Sequence, residues 1–371
     1  MKRILFVDNT AHHLYGQMHL MLAFKNIGYE VIALIPDDKN YFSKIQANEI
    51  KCYSIYIAGK SLNPFKDLKL IFTLRKVFKK IKPNLICSFT IKPNLYASII
   101  ARQQNIPIIT NVTGLGYVFL KNNWLAKFVS FLYKFAYHRA SQVFFQNKDD
   151  RILLEQAKIF SKNTTLSVIP GSGVNLNKFN YVGLTNTTKI KFLFSGRLLW
   201  DKGILELIEA FKAVRNKYLG ISLTFIGNYF LENPNAVLPE QIEAWVQDGV
   251  IKYLGMIDNV FEVMSQVDCI VLPSYYREGV PRVLMEACSM GKPIITVDNV
   301  GCRDVIEDGI NGFMAKPRDI QSLADAMIRF IELPFAQKQQ LGINGRKKME
   351  QEFDQRIVVN KYLEASNRLI C

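Results

Sequence analysis

The stretch Ser274-Tyr275-Tyr276-Arg277-Glu278-Gly279-Val280-Pro281-Arg282-Val283-Leu284-Met285-Glu286-Ala287 decides the reading of this chain. It joins an apolar run, Cys269 to Pro273, to an amphipathic run closed by Gly291-Lys292-Pro293, which reads as strand, loop and helix. Pro281 suits the first helical position, where its missing N–H is no loss, and Gly291 and Pro293 suit the stop. The free N–H groups of that helix start point beyond the carboxyl end of the strand, the edge at which open α/β sheets bind ligands. Glu278 precedes the helix, and Glu286 lies inside it by about a turn and a half. Two carboxylates flanking an anion-binding helix end suit a ligand carrying phosphate and several hydroxyls. An exposed glutamate and an ordinary first-turn glutamate would also account for the pair taken alone.

A second constellation points the same way. Ser195-Gly196-Arg197-Leu198-Leu199-Trp200-Asp201-Lys202-Gly203 follows the apolar strand Ile190 to Phe194 and leads into a helix at about Ile204. A lysine at a helix start opposes the helix dipole by ~0.3–1 kcal/mol, so Lys202 calls for a nearby anion. Arg197 adds a planar fork suited to phosphate oxygens. Gly227, after Leu223 to Ile226, and Gly255-Met256-Ile257-Asp258, after Ile251 to Leu254, are further strand-end loops whose backbone could read a planar base. Ordinary strand-to-helix turns explain those two as well.

Working outward, strands and helices alternate along the whole chain. In the first half they run Arg3 to Asp8, helix Gly16 to Asn26, Glu30 to Ile35, Tyr53 to Ile57, helix Phe65 to Lys80, Leu85 to Phe89, helix Tyr96 to Gln103, Ile106 to Val112, helix Leu125 to Tyr137, and Gln142 to Phe145. Periodicity lapses between Lys178 and Thr188, and a second series then begins. The expected class is α/β, with two Rossmann-like parallel-sheet domains facing across a cleft. They are assigned to residues 1–180 and 188–353, with a C-terminal helix at about 354–371 free to pack back on the first.

The 371 residues, 49% hydrophobic and 21% charged, fit two globular domains and argue against long disorder. No run reaches the ~18–20 apolar residues of a membrane span, and Met1-Lys2-Arg3 leads straight into a strand. A cytoplasmic protein at the inner face of the membrane is expected. The cysteines are scattered without a C-x-x-C pair, which reads as reduced thiols. The net charge of +15 is lopsided: residues 1–180 hold 25 Lys and Arg against 9 Asp and Glu, a net of +16.

Thr113-Gly114-Leu115-Gly116-Tyr117-Val118-Phe119 lacks the third glycine and the later acidic residue of a dinucleotide site. His12, His13 and His19 follow the first strand; His12 and His13 are candidates to line the cleft, and capping or surface positions suit them too. Asp37-Asp38 and Asp149-Asp150 read as turn and helix-start residues, and no metal site is expected. Asn122 to Arg139 interleaves Trp124, Phe128, Phe131, Leu132, Phe135 and Tyr137 with Lys127, Lys134 and Arg139, which suits either a membrane-surface helix or a core helix. Lys66, Lys69, Arg75, Lys76, Lys79, Lys80 and Lys82 make another basic helix, attractive to an anionic membrane surface. No nucleic-acid module is recognisable.

Together these residues resemble the retaining glycosyltransferases of family 4, which have the GT-B fold. The likeness rests on Glu278 to Glu286 within the quoted stretch, on Gly196-Arg197 with Lys202-Gly203, and on Gly301-Cys302-Arg303 followed by Asp308-Gly309-Ile310-Asn311-Gly312-Phe313. Phe89-Thr90-Ile91-Lys92-Pro93-Asn94 and Asn111-Val112-Thr113-Gly114-Leu115-Gly116 are similar to the branch that extends undecaprenyl-diphosphate-linked sugars in capsule, O-antigen and N-glycan assembly. The resemblance implies a UDP-sugar donor, with an N-acetylhexosamine as the sugar moved, a lipid-linked diphosphate glycan as acceptor, and no requirement for a metal or other cofactor. It implies that Arg197 and Lys202 neutralise the donor diphosphate, helped by the backbone at Gly279-Val280-Pro281. Glu286 would bind ribose, Glu278 would face the transferred sugar, and Gly196, Gly227, Met256, Ile257 and Leu284 would complete the donor side. The acceptor side is assigned to His12, His13, Gly16, Lys92, Thr113 and Gly114. Thr113 stands where many relatives carry histidine, and Gly16 alone remains of a frequent Gly-Gly. Other classes compatible with parts of the sequence are a GT-B epimerase or phosphorylase and a polyanion-binding protein.

Overall fold

The computed structural model describes residues 1–38, 40–57, 64–115, 124–138 and 140–370, without the side chains of 64 and 124–129. The chain divides into two compact units, Met1–Ser172 with Gln355–Cys371, and Gly173–Asp354. The boundary therefore precedes the linker expected over Lys178 to Thr188. Val174 and Phe179 are already buried in the core of the second unit, and the N–H groups of Val182 and Gly183 both donate to Met290 O at 3.0 Å. The aperiodic stretch is thus a strap on the second unit.

In the first unit the strands are β1 (Arg3–Val7), β2 (Glu30–Ile35), β3 (Lys51–Ser54), β4 (Leu85–Phe89), β5 (Ile108–Val112), β6 (Gln142–Phe145) and β7 (Thr165–Val168). They pair in parallel in the order β3-β2-β1-β4-β5-β6-β7. Helices α1 (Ala11–Tyr15), α2 (Met18–Asn26) and α3 (Tyr41–Gln46) bury residues on one face of this sheet. Helices α4 (Pro64–Ile81), α5 (Ile91–Gln103) and α6 (Trp124–Tyr137) build the other. That division is what right-handed crossovers require when the winding reverses after β3. Helix α7 (Lys148–Gln156) is capped by Asn147, whose side chain accepts from Asp150 N, so the Asp149-Asp150 pair does sit in a first helical turn.

The second unit has strands β8 (Ile190–Ser195), β9 (Ile221–Ile226), β10 (Lys252–Tyr253), β11 (Cys269–Leu272), β12 (Ile294–Val297) and β13 (Gly312–Ala315), in the order β10-β9-β8-β11-β12-β13. Its helices are α8 (Ile204–Lys217), α9 (Pro239–Gln247), α10 (Val260–Ser265), α11 (Arg282–Ser289), α12 (Cys302–Val305), α13 (Ile320–Glu332) and α14 (Phe335–Lys348). A π turn, Met349–Phe353, leads to α15 (Gln355–Ile370), which belongs to the first unit and lies against α2 and β4.

Tyr362 of α15 is buried among Phe89 and Phe144. Its hydroxyl accepts from Asn111 Nδ2 at 3.0 Å, Asn111 O accepts from Asn94 Nδ2 at 2.7 Å, and Ser88 Oγ donates to Asn94 Oδ1 at 2.7 Å. This buried chain ties α15 to β4, β5 and α5. Tyr362→Phe leaves the Asn111 amide without its acceptor in a buried site, and should lower unfolding stability by about 1–3 kcal/mol. A denaturant midpoint equal to that of the parent protein would contradict this account.

The strand expected over Tyr53 to Ile57 runs instead over Lys51–Ser54, and two helix starts also differ from the sequence pattern. Helix α5 begins at Ile91, not Tyr96, because Lys92 and Asn94 find partners that let polar residues enter its first turns. The helix expected at Gly16 is preceded by α1, which Thr10 caps by accepting from His13 N. Gly116 to Phe119, Asn122, Asn123, Arg139 and Cys371 lie outside the described residues, as do the side chains of Trp124, Lys127 and Phe128. No described helix is long and apolar enough to cross a membrane.

Candidate functional site

Winding of the second unit runs from β8 through β9 to β10 on one side and from β11 through β12 to β13 on the other. The topological switch point therefore lies between β8 and β11, paired in parallel through Phe192 with Cys269 and Leu193 with Ile270. Ligands of open α/β sheets bind outside the strand ends at that point. The two loops that leave those ends are Gly196 to Gly203 and the stretch quoted at the outset. Topology thus brings together the two constellations that the sequence separates.

Their side chains meet there. Lys202 ends a 3-10 turn, Trp200–Lys202, and its ammonium pairs with Glu278 Oε1, which also accepts from Ser274 Oγ at 2.8 Å. The pair is well enclosed, with side-chain exposures of 7% for Lys202 and 18% for Glu278. The anion that a lysine at this helix start calls for is thus supplied within the protein. An ammonium has three donors, and Glu278 takes one. Lys202 also stands 5.7 Å from the ring centre of Tyr276. Arg197 is exposed, with its guanidinium 5.4 Å from the ring centre of Phe230, a cation–π contact that limits where the fork can point.

Backbone bonds fix the loops to one another. Tyr275 N and Tyr276 N both donate to Asp201 O, at 3.1 and 3.0 Å. Asn299, beyond β12, donates from Nδ2 to Ser274 O at 3.1 Å and to Tyr276 O at 2.8 Å. Asp201 is 5% exposed; its Oδ2 accepts from Asn235 Nδ2 at 3.4 Å, and its Oδ1 has no hydrogen-bond partner among the described residues. Burial, only partly offset by Asn235 and the nearby Lys202 and Arg197, raises its pKa.

Pro281 is the residue before α11, not its first helical residue. The helix starts at Arg282, and Leu284 N already donates to Pro281 O at 3.2 Å. Leu284 is fully buried, Val280 nearly so, and both side chains pack in the core. Of the residues expected on the donor side these two contribute packing, which holds the loop backbone in position. Glu286 is likewise enclosed, at 14% side-chain exposure, 3.4 Å from Arg282. Burial raises its pKa against the opposing pull of Arg282 and Lys178. Gly227 N donates to Gly255 O at 2.9 Å and Gly227 O accepts from Tyr253 Oη at 2.9 Å, so the loops after β9 and β10 are joined beside Gly196. Met256 is exposed and Ile257 half-buried.

The first unit has its own switch point, between β1 and β4. His13 Nδ1 lies against the buried carboxylate of Asp8 at the end of β1, while His12 is exposed, its ring 4.7 Å from that of Tyr41. Lys92 follows β4 and is nearly buried, its ammonium 2.6 Å from Asp67 Oδ1. Thr113 and Gly114 follow β5, both half-buried, and Gly16 closes α1. The sequence reading missed Asp8, Asp67, Ser274, Phe230 and Asn299. Ser274 and Asp8 were visible as polar residues ending apolar strands; the other three carry no local signal.

Comparison with known proteins agrees with this arrangement. Residues 178–348 match the family described as glycosyl transferases group 1, and residues 3–147 match the glycosyl transferase 4-like family. The chain is 28% identical to the N,N'-diacetylbacillosaminyl-diphospho-undecaprenol alpha-1,3-N-acetylgalactosaminyltransferase of Campylobacter jejuni, over 99% of each chain. It is 27% identical to the capsular polysaccharide biosynthesis glycosyltransferase CapM of Staphylococcus aureus, over 84% of each. Among solved structures, Anabaena HepE with UDP and glucose superposes with a TM-score of 0.80 at 18% identity, over 99% of this chain and all of that one. With two parallel-sheet units, each matched by its own glycosyltransferase family, the chain belongs to the glycosyltransferases of the GT-B fold.

Proposed function

We propose that this enzyme moves a sugar, an N-acetylhexosamine, from a UDP-sugar to a glycan carried on a lipid diphosphate of the undecaprenyl type, with retention of configuration. The observation that carries the reading is the Lys202–Glu278 pair across the β8–β11 switch point, with Arg197 on the same loop as Lys202. The named substrate of the Campylobacter jejuni relative supports the acceptor, and the UDP bound by Anabaena HepE supports the donor.

Lys202 and Arg197 supply fixed positive charge for a leaving diphosphate, which gains negative charge as the bond from the anomeric carbon to the phosphate oxygen breaks. The acceptor hydroxyl forms the new bond on the same face, and its proton passes to the departing phosphate oxygen. That route uses no separate protein base. Glu278, held by Lys202 and Ser274, is the group assigned to face the transferred sugar, and Glu286 is assigned to accept from the ribose hydroxyls.

The test is release of UDP from a panel of UDP-sugars by purified protein, with and without extracted undecaprenyl-diphosphate-linked glycans. Release from one donor only when the acceptor is present is the expected result; turnover without acceptor would reject the transfer reading. Glu286→Gln should weaken donor binding about 10–100-fold, since hydrogen bonds to a charged acceptor are at stake.

The same variant has an opposite effect on stability. The folded protein holds the Glu286 proton to higher pH than the unfolded chain, so stability falls as pH rises from the unfolded carboxylate range through the raised folded pKa. Burying the charge therefore destabilises fully at neutral pH. Glu286→Gln should raise the Tm of the free enzyme at about pH 7 and leave it unchanged at about pH 4, near the unfolded pKa of a glutamate. A lower Tm at neutral pH would show that the carboxylate stabilises the site.

A further inference from the structure

Helix α4 is apolar on two opposite sides. Leu70, Leu74, Phe78 and Ile81 are buried in the core of the first unit. On the far side Phe65, Leu68 and Phe72 form an i, i+3, i+7 stripe exposed by 82%, 51% and 54%. A helix on a sheet needs only one apolar stripe, and the outer one should be polar. Together with Lys69, Thr73 and Lys76 these residues line a groove of about 410 Å³. The charges of the helix stand around the stripe: Lys66, Lys69, Lys76, Lys79 and Lys80 are all exposed.

The apolar surface continues on the same side of the sheet. Helix α5 lies between α4 and α6, and α6 exposes Phe131 by 64% and Phe135 by 49%. Arg102 of α5 sets its guanidinium 5.6 Å from the Phe135 ring centre. Large apolar side chains grouped in one layer, rimmed by cations, mark an interaction surface.

We infer that the outer face of α4, continued by Phe131 and Phe135 of α6, docks the enzyme on an anionic lipid bilayer. Aromatic side chains enter the interfacial layer while the surrounding lysines meet the headgroups. The charge decides between occupants. A two-fold contact with a second copy would set this lysine-rimmed patch against itself, like charge on like, whereas an anionic bilayer complements it. The surface lies on the helical layer and not on the catalytic loops, so the inference stands independently of the acceptor assignment.

The test is flotation of the full-length protein with vesicles of phosphatidylcholine alone or mixed with phosphatidylglycerol. Binding only to the phosphatidylglycerol vesicles is expected. Lys69→Gln with Lys76→Gln should weaken it by about 30-fold, from roughly a factor of five for each cation. Phe65→Ser with Phe72→Ser should weaken it by about 10-fold or more. All of these positions are exposed, so folding should be unaffected, and both variants should retain parental activity on detergent-solubilised acceptor. Equal flotation of variants and parent, or no flotation at all, overturns the inference, as does a dimer that the Phe variant disperses without any vesicle binding. Loss of activity on solubilised acceptor would make the stripe part of an acceptor site and also overturns it. Intact flotation without transfer would reject the acceptor assignment alone.

Discussion

Lys202→Ala should lower kcat/KM for glycosyl transfer by about 10³-fold, the loss seen when one fixed electrostatic partner of a developing anion is removed. The effect should fall chiefly on kcat, because the charge that Lys202 faces grows as the leaving diphosphate departs. The same change removes the cation beside the enclosed Glu278 carboxylate, which still accepts from Ser274 Oγ. A loss of unfolding stability should accompany it, which the Glu278→Gln background should largely remove, since a neutral amide at 278 needs no cation. Measuring kcat/KM and Tm for both single variants and the double variant separates the two roles. If Lys202→Ala loses stability but keeps its transfer rate, Lys202 serves only to hold the loop.

Gly301→Ala should be strongly damaging to the second unit. Gly301 has φ +83°, and a Cβ there would lie 1.7 Å from Gly279 O and 3.0 Å from Glu278 O. Both neighbours are backbone, so neither can step aside as a side chain would. Relief requires moving the loop that carries Glu278. A loss of about 3 kcal/mol or more is expected, a fall of roughly 6–12 °C in the Tm of a unit the size of Gly173–Asp354. Gly249→Ala is the control: its φ is +62° but a Cβ meets nothing within 4 Å, so only the left-handed backbone term of about 1 kcal/mol remains. Equal Tm shifts for the two variants would refute the close approach, and full transfer activity in Gly301→Ala would detach that packing from the site.

The sequence made strands and amphipathic helices readable wherever burial imposes a clear period. Helix α8 and strands β4 and β6 run where the apolar spacing put them. It did not reveal β13, whose Gly-Phe-Met-Ala is too short to show alternation, nor β7, which as an edge strand of half-buried residues has no continuous apolar run. The two loops of the candidate site and their charged side chains were legible in the sequence. The bond between them was not, because Lys202 and Glu278 are 76 residues apart and only the parallel pairing of β8 with β11 makes them neighbours. Lys92 teaches the same lesson: the sequence shows a lysine ahead of the expected helix, and the fold places it inside α5 with Asp67 of α4 as its partner.

The division of the chain also bears on how it is made. The second unit, Gly173–Asp354, is continuous, whereas the first needs α15 to complete, beside α1 to α3, the cover over Phe89 and Phe144. Domains fold as units while the ribosome delivers the chain from its N-terminus. Here the order of completion reverses the order of emergence: the later unit has all its parts first. The earlier one waits with part of an apolar sheet face uncovered until α15 is synthesised, the interval in which this protein most needs shielding from its neighbours.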